Sequence, residues 1–552
     1  MSTGGQARMS RRAMAESVVA ACRDAGTTHL FGVPGGGSNL DVVGAAAAAG
    51  IEFVLVHTET AATVMAGVMG ELTGAPGMAV ATRGPGAASA VNGMAQALLD
   101  RQPVVLVTDS VSSADWDRVS HQRLAQQALM APVAKATTVL DGSDPAAAAS
   151  VVGVALDAPA GPVHIDFDPS AEASSPVPAP APTKAQSDAG FEAVLRLARS
   201  ARKPVIIAGV GAVSGRPGER AAVVAAIDVM GREGNVPVLC TYKARGVVAD
   251  AAPWCAGIAT GATIESPVLQ EADLIIGVGL DPVEFIPAAW PYAAPLVLVG
   301  SWAVSDSVYF GHHVAAEAVG QLGPMTQQLA AVVESAWAAG DGQSFRQQAN
   351  NELLAVVPDQ PRGLTPQQVV TIASSVAPMG TIATVDAGAH MLVAMPLWEV
   401  DAPGQLLISS GLATMGFALP AAVAASLASP ARSVVCFTGD GGIGMALAEL
   451  ETLARLALPV VVVVFNDSLL SLIAAKQQPQ GHGGAAAVTY SPIDFAAVAR
   501  GCGLGAQRVN DAGEYEAALR AALVSGVPTL LDVAVDPSAY GAVLDAIRGR
   551  RA

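Results

Sequence analysis

A chain of 552 residues, 52% apolar and 14% charged, is too long for one hydrophobic core and corresponds to about three domains of ~100–200 residues each. Its net charge of −17 argues against nucleic acid and anionic membrane surfaces as partners, since both need basic patches, but not against an anionic cofactor held by a local field. No apolar run reaches the ~18 residues of a membrane span. The five cysteines (Cys22, Cys240, Cys255, Cys436, Cys502) form no C-x-x-C pair, which points to a reduced, cytoplasmic setting.

The opening MSTGGQARMSRRAMAESVVAACRDAG has an Arg pair, but Glu16, Arg23 and Asp24 interrupt what would be a signal core, so it reads as a short tail and a first helix. Helical and strand patterns then alternate: helix 13–25, strand 30–33, helix 39–48, strand 52–56, helix 61–70, strand 78–82, helix 87–99 and strand 103–108. Such alternation with short turns predicts a doubly wound parallel sheet over 10–169. Residues 169–188, PSAEASSPVPAPAPTKAQSD, have the Pro/Ala/Ser composition of an extended interdomain linker. A second α/β segment, 189–340, carries strand patterns at 205–208, 236–241, 274–277 and 296–299, and the polar GDGQSFRQQANNE after it reads as a connector. The third segment, 364–540, completes the expected fold class: α/β, with three doubly wound parallel-sheet domains.

That third segment contains VVCFTGDGGIGMALAELETLARLALPVVVVVFND, residues 434–467. It reads as strand 434–438, a tight turn at Gly439-Asp440-Gly441, helix 445–457 and strand 460–465. A right-handed crossover would bring Asp440 and the pair Asn466/Asp467 to the carboxyl ends of two parallel strands, where open α/β sheets bind ligands. Gly439, Gly441, Gly442 and Gly444 allow close backbone approach, and the helix start suits an anion. Hard oxygen ligands beside a phosphate site suit Mg²⁺, so a Mg²⁺-diphosphate is the predicted ligand.

The segment resembles the diphosphate-binding motif of thiamine diphosphate enzymes, GDG followed after the next strand by an Asn pair. Three α/β domains in this order resemble the acetolactate synthase-like group, related to the acetohydroxyacid synthase large subunit: a pyrimidine-binding, a central and a diphosphate-binding domain. The resemblance covers nearly the whole chain. It implies Asp440, Asp467 in place of the second Asn, and the backbone carbonyl of Leu469 as Mg²⁺ ligands, with Asn466 as the ligand if the register shifts by one.

By the same resemblance, Glu59 in FVLVHTETAATVMAG is the carboxylate that hydrogen-bonds N1′ of the cofactor pyrimidine. As a residue it sits just past a strand and opens a helix, a place where the dipole favours an acid in any case. FGVPGGG, with Gly35 and Gly36, and TRGPGAASAVNG, with Gly84, Pro85 and Gly86, are similar to the family's two Gly-rich loops beside that glutamate. Arg83 stands where a Ser is usual; it is either a bidentate partner for a substrate carboxylate or an exposed surface Arg. Gln122 lines up with the Gln of the family's Phe-Gln pair, His121 with its Phe, and Lys135 with the Lys that closes the segment. His121 is either a proton relay or acceptor contact, or a satisfied non-catalytic His. DAGAH, with Gly388, Ala389 and His390, and SSGLATMGFALPAA resemble two cofactor-binding segments of the family. That match implies that the Ala413 carbonyl accepts from the 4′-amino group and that Met415 is the apolar wedge under the cofactor. Lys476, in SLLSLIAAKQQPQGHGG, stands where acetohydroxyacid synthases carry a Trp.

The implied activity is decarboxylation of a 2-oxo acid, pyruvate by default, with transfer of the active aldehyde to a carbonyl acceptor. The implied assembly is a homodimer or homotetramer in which two subunits share each cofactor. One alternative is a decarboxylase that releases aldehyde, although the only His-His pair, His312-His313, lies in the central segment. Another is a flavin-dependent member of the family. IIAGVGAVSG (206–215) lacks the G-x-G-x-x-G spacing and GLDPVEF (279–285) lacks the family's flavin contact, so no FAD is expected.

Overall fold

The computed structural model describes residues 8–171, 188–286, 289–305, 307–477 and 484–549. The chain divides into two compact units, Met1–Pro182 and Thr183–Ala552. The expected linker, 169–188, lies largely outside the described residues.

The first unit is built on six parallel strands: β1 (His29–Val33), β2 (Glu52–Leu55), β3 (Gly77–Ala81), β4 (Val104–Thr108), β5 (Ala136–Leu140) and β6 (Val163–Phe167), in the order β2-β1-β3-β4-β6-β5. β3, β4 and β6 are buried along their whole length, because helices cover both faces of the sheet. Thr58 caps the helix Glu59–Thr73, its hydroxyl accepting from Ala61 N–H at 3.1 Å, and Pro85 opens the helix Pro85–Leu99. β5 and β6 are absent from the strand pattern anticipated above. β5 alternates buried and half-buried residues at the sheet edge, so its pattern is weak without its neighbour.

The second unit holds two sheets. The central one comprises β7 (Pro204–Ala208), β8 (Val238–Cys240), β9 (Cys255–Ile258), β10 (Leu274–Val278), β11 (Leu296–Gly300) and β12 (Val314–Val319), ordered β12-β11-β10-β7-β8-β9. This is the strand order of dinucleotide-binding doubly wound sheets. The next comprises β13 (Ile382–Val385), β14 (Leu406–Ile408), β15 (Val434–Gly439), β16 (Val460–Asn466), β17 (Gly505–Val509) and β18 (Thr529–Ala534), ordered β14-β13-β15-β16-β18-β17. Taken in chain order, its pattern repeats that of the first unit. The expected class, three doubly wound parallel α/β domains, is therefore the observed one.

Two local readings are corrected. The polar stretch after the central sheet is not a connector but the helix Asp341–Leu354; its polar residues face outward while Arg346 and Leu353 are buried. The helix expected at 445–457 begins earlier, at Asp440, and is split into Asp440–Ala446 and Glu449–Arg455. The glycine-rich start is helical because Gly439 is an extended N-cap directly at the end of β15, with no intervening turn.

Within the second unit the central domain is tied to the third by buried polar contacts. The Arg245 guanidinium makes a two-pronged pair with Asp250, both bonds 2.7 Å, and donates to the Trp398 carbonyl at 2.8 Å. Asp250 in turn accepts from Val400 N–H at 2.8 Å, and the Lys243 ammonium donates to the Ile408 carbonyl at 3.3 Å. All five cysteines are free thiols, and among the described residues no helix is long and apolar enough to cross a membrane.

Candidate active site

In the third domain, the carboxyl ends of β13, β15 and β16 converge on one crevice. Asp440 opens its helix and is 8% exposed; one oxygen accepts from Gly441 N–H at 2.6 Å, whereas Oδ2 is buried with no hydrogen-bond partner. Burial raises its pKa, opposed by the backbone N–H groups of Gly441, Ser468, Leu469 and Asp467. Asp440 and the turn after β16 thus meet, as the crossover argument requires. The Asp467 carboxyl is pushed up to about 7 by burial, opposed by the Ser471 hydroxyl and reinforced by the charge of Asp440. Both Asp467 oxygens have protein partners, Leu469 N–H at 3.0 Å and the Ser471 hydroxyl. Asn466 is committed differently: its amide nitrogen donates to Asp532 at 2.8 Å and to the Ile493 carbonyl at 3.0 Å.

A cavity of about 270 Å³ adjoins this turn, lined by Asp440, Gly441, Gly444, Asn466, Ser468 and Tyr490 among others. A Cβ on Gly441 would sit 2.8 Å from Leu470 Cδ2 and 3.2 Å from Met415 Cε. Among the described residues no group of three or more His, Cys, Asp or Glu could hold a metal ion. The donor set is one orphaned carboxylate oxygen beside a glycine-lined cavity, which fits a hard cation that completes its shell with phosphate oxygens and water.

Asp386 organises the rest of the crevice and escaped the sequence reading. Fully buried at the end of β13, it accepts from Thr438 Oγ1 at 3.0 Å and from Gly416 and Phe417 N–H, each at 3.2 Å. Burial pushes its carboxyl up to about 6 against these bonds. It stands so close to Gly442 that no side chain fits there. The available signal was its position, an acid directly after a strand that opens the DAGAH segment. His390 stacks on Phe465, ring centroids 5.2 Å apart, and its buried Nε2 has no partner among the described residues. Burial holds its pKa down at about 4, so the ring is neutral near pH 7. Gly388 packs on that ring, its Cβ position 2.7 Å from His390 Cε1, and Ala389 is buried beside it. Ala413 has φ 52°, a left-handed conformation costly for a residue with a Cβ. It precedes Thr414, whose N–H is held by Ser409 Oγ at 3.2 Å.

In the first unit, a second cluster forms at the carboxyl ends of β1, β2 and β3. Glu59 is half-buried at the start of its helix, and its carboxylate has no hydrogen-bond partner among the described residues. Gly86 faces it: a Cβ there would lie 2.9 Å from Glu59 Oε1. Gly84 has φ +69°, and its Cβ position lies 2.8 Å from the Gln122 carbonyl oxygen, so the 120–125 turn packs onto the Arg83–Gly86 turn. Gly35 N–H donates to Asn39 Oδ1 at 3.0 Å, and the Asn39 amide donates to the Ala81 carbonyl at 3.1 Å, which fastens the first Gly-rich loop beside the second. Gly36 faces open space. The Arg83 side chain is half-buried and, like that of Glu59, has no ion pair among the described residues; His121 and Gln122 are exposed. Lys135 is engaged in the scaffold, its ammonium donating to the carbonyls of Val154 and Asp157 at 2.7 Å each, near the end of the helix Ala147–Leu156.

The central sheet offers a third crevice at its switch point, between β7 and β10. It is filled from within. The Glu284 carboxylate accepts from Val210 N–H at 2.9 Å and from the Thr241 hydroxyl. Burial pushes its pKa up to about 8. Phe285, Trp290, Tyr309 and Phe310 pack beside it, edge-to-face except for the stacked Phe285–Tyr309 pair, with ring centroids 5.2–6.1 Å apart. These residues do not fit a bound dinucleotide, because a carboxylate stands where its phosphate would meet the strand-end N–H.

Comparison with known proteins matches all three domains. The N-terminal TPP binding domain of thiamine pyrophosphate enzymes matches residues 12–130, their central domain 191–329, and their C-terminal TPP binding domain 386–533. The acetolactate synthase of Bacillus subtilis (strain 168) is 29% identical over 542 residues, covering 95% of this chain and 93% of its own. The large subunit of acetolactate synthase isozyme 2 of Escherichia coli (strain K12) is 28% identical over 539 residues, and the catabolic acetolactate synthase of Raoultella terrigena is 28% identical over 546, each covering 95% of both chains. These matches show that the chain belongs to the thiamine pyrophosphate-dependent enzymes, in their acetolactate synthase-like group.

Proposed function

We propose that the protein is a Mg²⁺- and thiamine diphosphate-dependent carboligase. It decarboxylates a 2-oxo acid, pyruvate by default, and transfers the active aldehyde to a carbonyl acceptor. The observation that carries this reading is the buried, unpartnered Oδ2 of Asp440 over the 467–469 turn, in a chain whose relatives bear the name acetolactate synthase.

When bound, thiamine diphosphate would supply the electron sink that decarboxylation of a 2-oxo acid requires. Asp440, Asp467 and the Leu469 carbonyl hold the metal, and Gly439, Gly441 and Gly442 leave room for the diphosphate. Asn466 serves as the scaffold under that turn rather than as a ligand, since its amide is already committed to Asp532 and Ile493. The Glu59 carboxylate holds the proton at pyrimidine N1′. The Ala413 carbonyl would accept from the 4′-amino group, Met415 would prop the cofactor, and Gly388, Ala389 and His390 would line its path. Arg83, with no ion pair among the described residues, pairs with the substrate carboxylate. Gln122 and His121 border the same opening, and Pro85 and the neighbouring glycines keep it shallow. Domain assignments follow: pyrimidine binding over 10–169, a central domain over 189–340 and diphosphate binding over 364–540. A homodimer or homotetramer brings the two clusters together, in the cytoplasm. Neither a flavin nor a nucleic acid takes part.

Simple decarboxylation is the rival reading. It needs an acid to protonate the carbanion, and His312-His313, with ring centroids 4.3 Å apart in the central domain, lies on a different domain from both clusters. Incubation with pyruvate alone decides between them: acetolactate or acetoin is expected, and free acetaldehyde as the main product would overturn the carboligase reading. Glu59→Gln in parallel is expected to abolish turnover while cofactor binding persists.

A further inference from the structure

A buried polar network lies behind the Arg83–Gly86 turn of the first unit, and none of the roles above uses it. At its centre is Gln126, 3% exposed, on the short helix Gln126–Met130. Its Oε1 accepts from Gly84 N–H at 2.8 Å. Its Nε2 donates toward the Asp109 carbonyl at 3.0 Å and toward Thr108 Oγ1 and Asp166 Oδ1, each at 3.1 Å. Behind it, Gln127 donates to Asp166 Oδ2 at 2.8 Å, and His164 Nε2 lies 2.7 Å from Thr108 Oγ1. In front, the Ser38 hydroxyl donates to Asp109 Oδ1 at 2.6 Å, next to the first Gly-rich loop.

Apolar side chains would fill this space without desolvating so many polar atoms, each of which is destabilising if its partner is lost. What a satisfied network adds is a single geometry. Gln126 joins the ends of β4 and β6 to one backbone N–H, that of Gly84, whose positive φ turns the chain so that Gly86 meets Glu59. The same turn sets the direction of Arg83.

We propose that Gln126 is a positioning residue: through Gly84 it holds the Arg83–Gly86 turn against Glu59 without touching the substrate. This rests on the roles proposed above for Glu59 and Arg83. Gln126→Met keeps the volume of the side chain and removes its hydrogen bonds, while Gln126→Asn keeps the amide but is one methylene short of Gly84.

In the cofactor-free protein, hydrogen exchange of residues 83–86 is expected to accelerate in Gln126→Met, with an unchanged melting profile. In the holoenzyme, kcat is expected to fall about 10–100-fold, the scale of a small misplacement of reacting groups, with cofactor affinity retained. Wild-type exchange together with wild-type kcat would overturn the proposal, as would a loss of activity that only tracks loss of folded protein. If Gln126→Met does not fold, Gln126→Asn gives the same two readings. Glu59→Gln separates the levels. If it is active, the site assignment falls and this inference with it; if it is inactive while a folded Gln126 variant is fully active, only the positioning role falls.

Discussion

The central and third domains each carry a carboxylate in the glycine-bearing segment just past a parallel strand, and they treat it in opposite ways. In the third domain Asp440 leaves one buried oxygen unpaired beside a cavity of about 270 Å³. In the central domain Glu284 folds back onto Val210 N–H and the Thr241 hydroxyl, with aromatic rings packed behind it. An unsatisfied buried acceptor costs about 1–3 kcal/mol and persists where a ligand offsets the cost; a satisfied one leaves a ligand nothing to bind. Strand order alone would have chosen the other crevice, since the central sheet has the dinucleotide-binding order. Sites are thus distinguished by unmet valence more than by fold.

Asp440→Ala is the severest test of that contrast. It is expected to weaken Mg²⁺-dependent cofactor binding by more than ~100-fold, beyond the loss typical of outer-shell partners, while raising the stability of the cofactor-free protein by about 1–2 kcal/mol as the orphaned group is removed. Calorimetric titration and urea unfolding read the two effects, and normal cofactor binding would end the assignment. Glu284→Gln probes the filled crevice. Because the folded-state pKa of Glu284, about 8, lies above its ordinary value of 4.5, the native state keeps a proton that the unfolded chain releases. Its contribution is therefore present in full below about pH 4.5 and declines as pH rises toward 8. The Gln variant should lack this decline and overtake the wild type in urea midpoint toward pH 8, with turnover unaltered; parallel pH curves would contradict the buried, proton-holding Glu284. The smallest change is expected for Asp467→Asn. Since an Asn can still accept from Leu469 N–H, the Mg²⁺ needed for half-maximal activity should rise only about fivefold, the equivalent of ~1 kcal/mol. Unchanged metal activation would remove Asp467 from the ligand set.

Long β-branched runs such as Val460–Asn466 and glycine-rich segments carry their meaning locally, which is why the α/β class and the two strands that flank the Asp440 helix were legible in the sequence. β5 was not, because an edge strand of mixed pattern is defined by the neighbour it pairs with. Nor was Gln126, since a polar residue in a helical segment reads as solvent-facing until the strand ends that surround it are known. Asp386 looked like any turn acid, and only the convergence of Thr438, Gly416 and Phe417 on its oxygens reveals its role. The polar helix Asp341–Leu354 was hidden for a related reason: its buried side is anchored by Arg346, whose guanidinium donates to the Asp250 carbonyl at 3.2 Å, and not by an apolar stripe.

The Arg245–Asp250 pair gives the central domain a use that does not depend on its filled crevice. Its bonds end on Trp398 and Val400, and that of Lys243 on Ile408, the residue before the Ser409–Met415 loop. The central domain acts here as a splint, bracing from outside the loop that carries the strained Ala413. Trimming it to shorten the enzyme would slacken that loop before it touched any catalytic group.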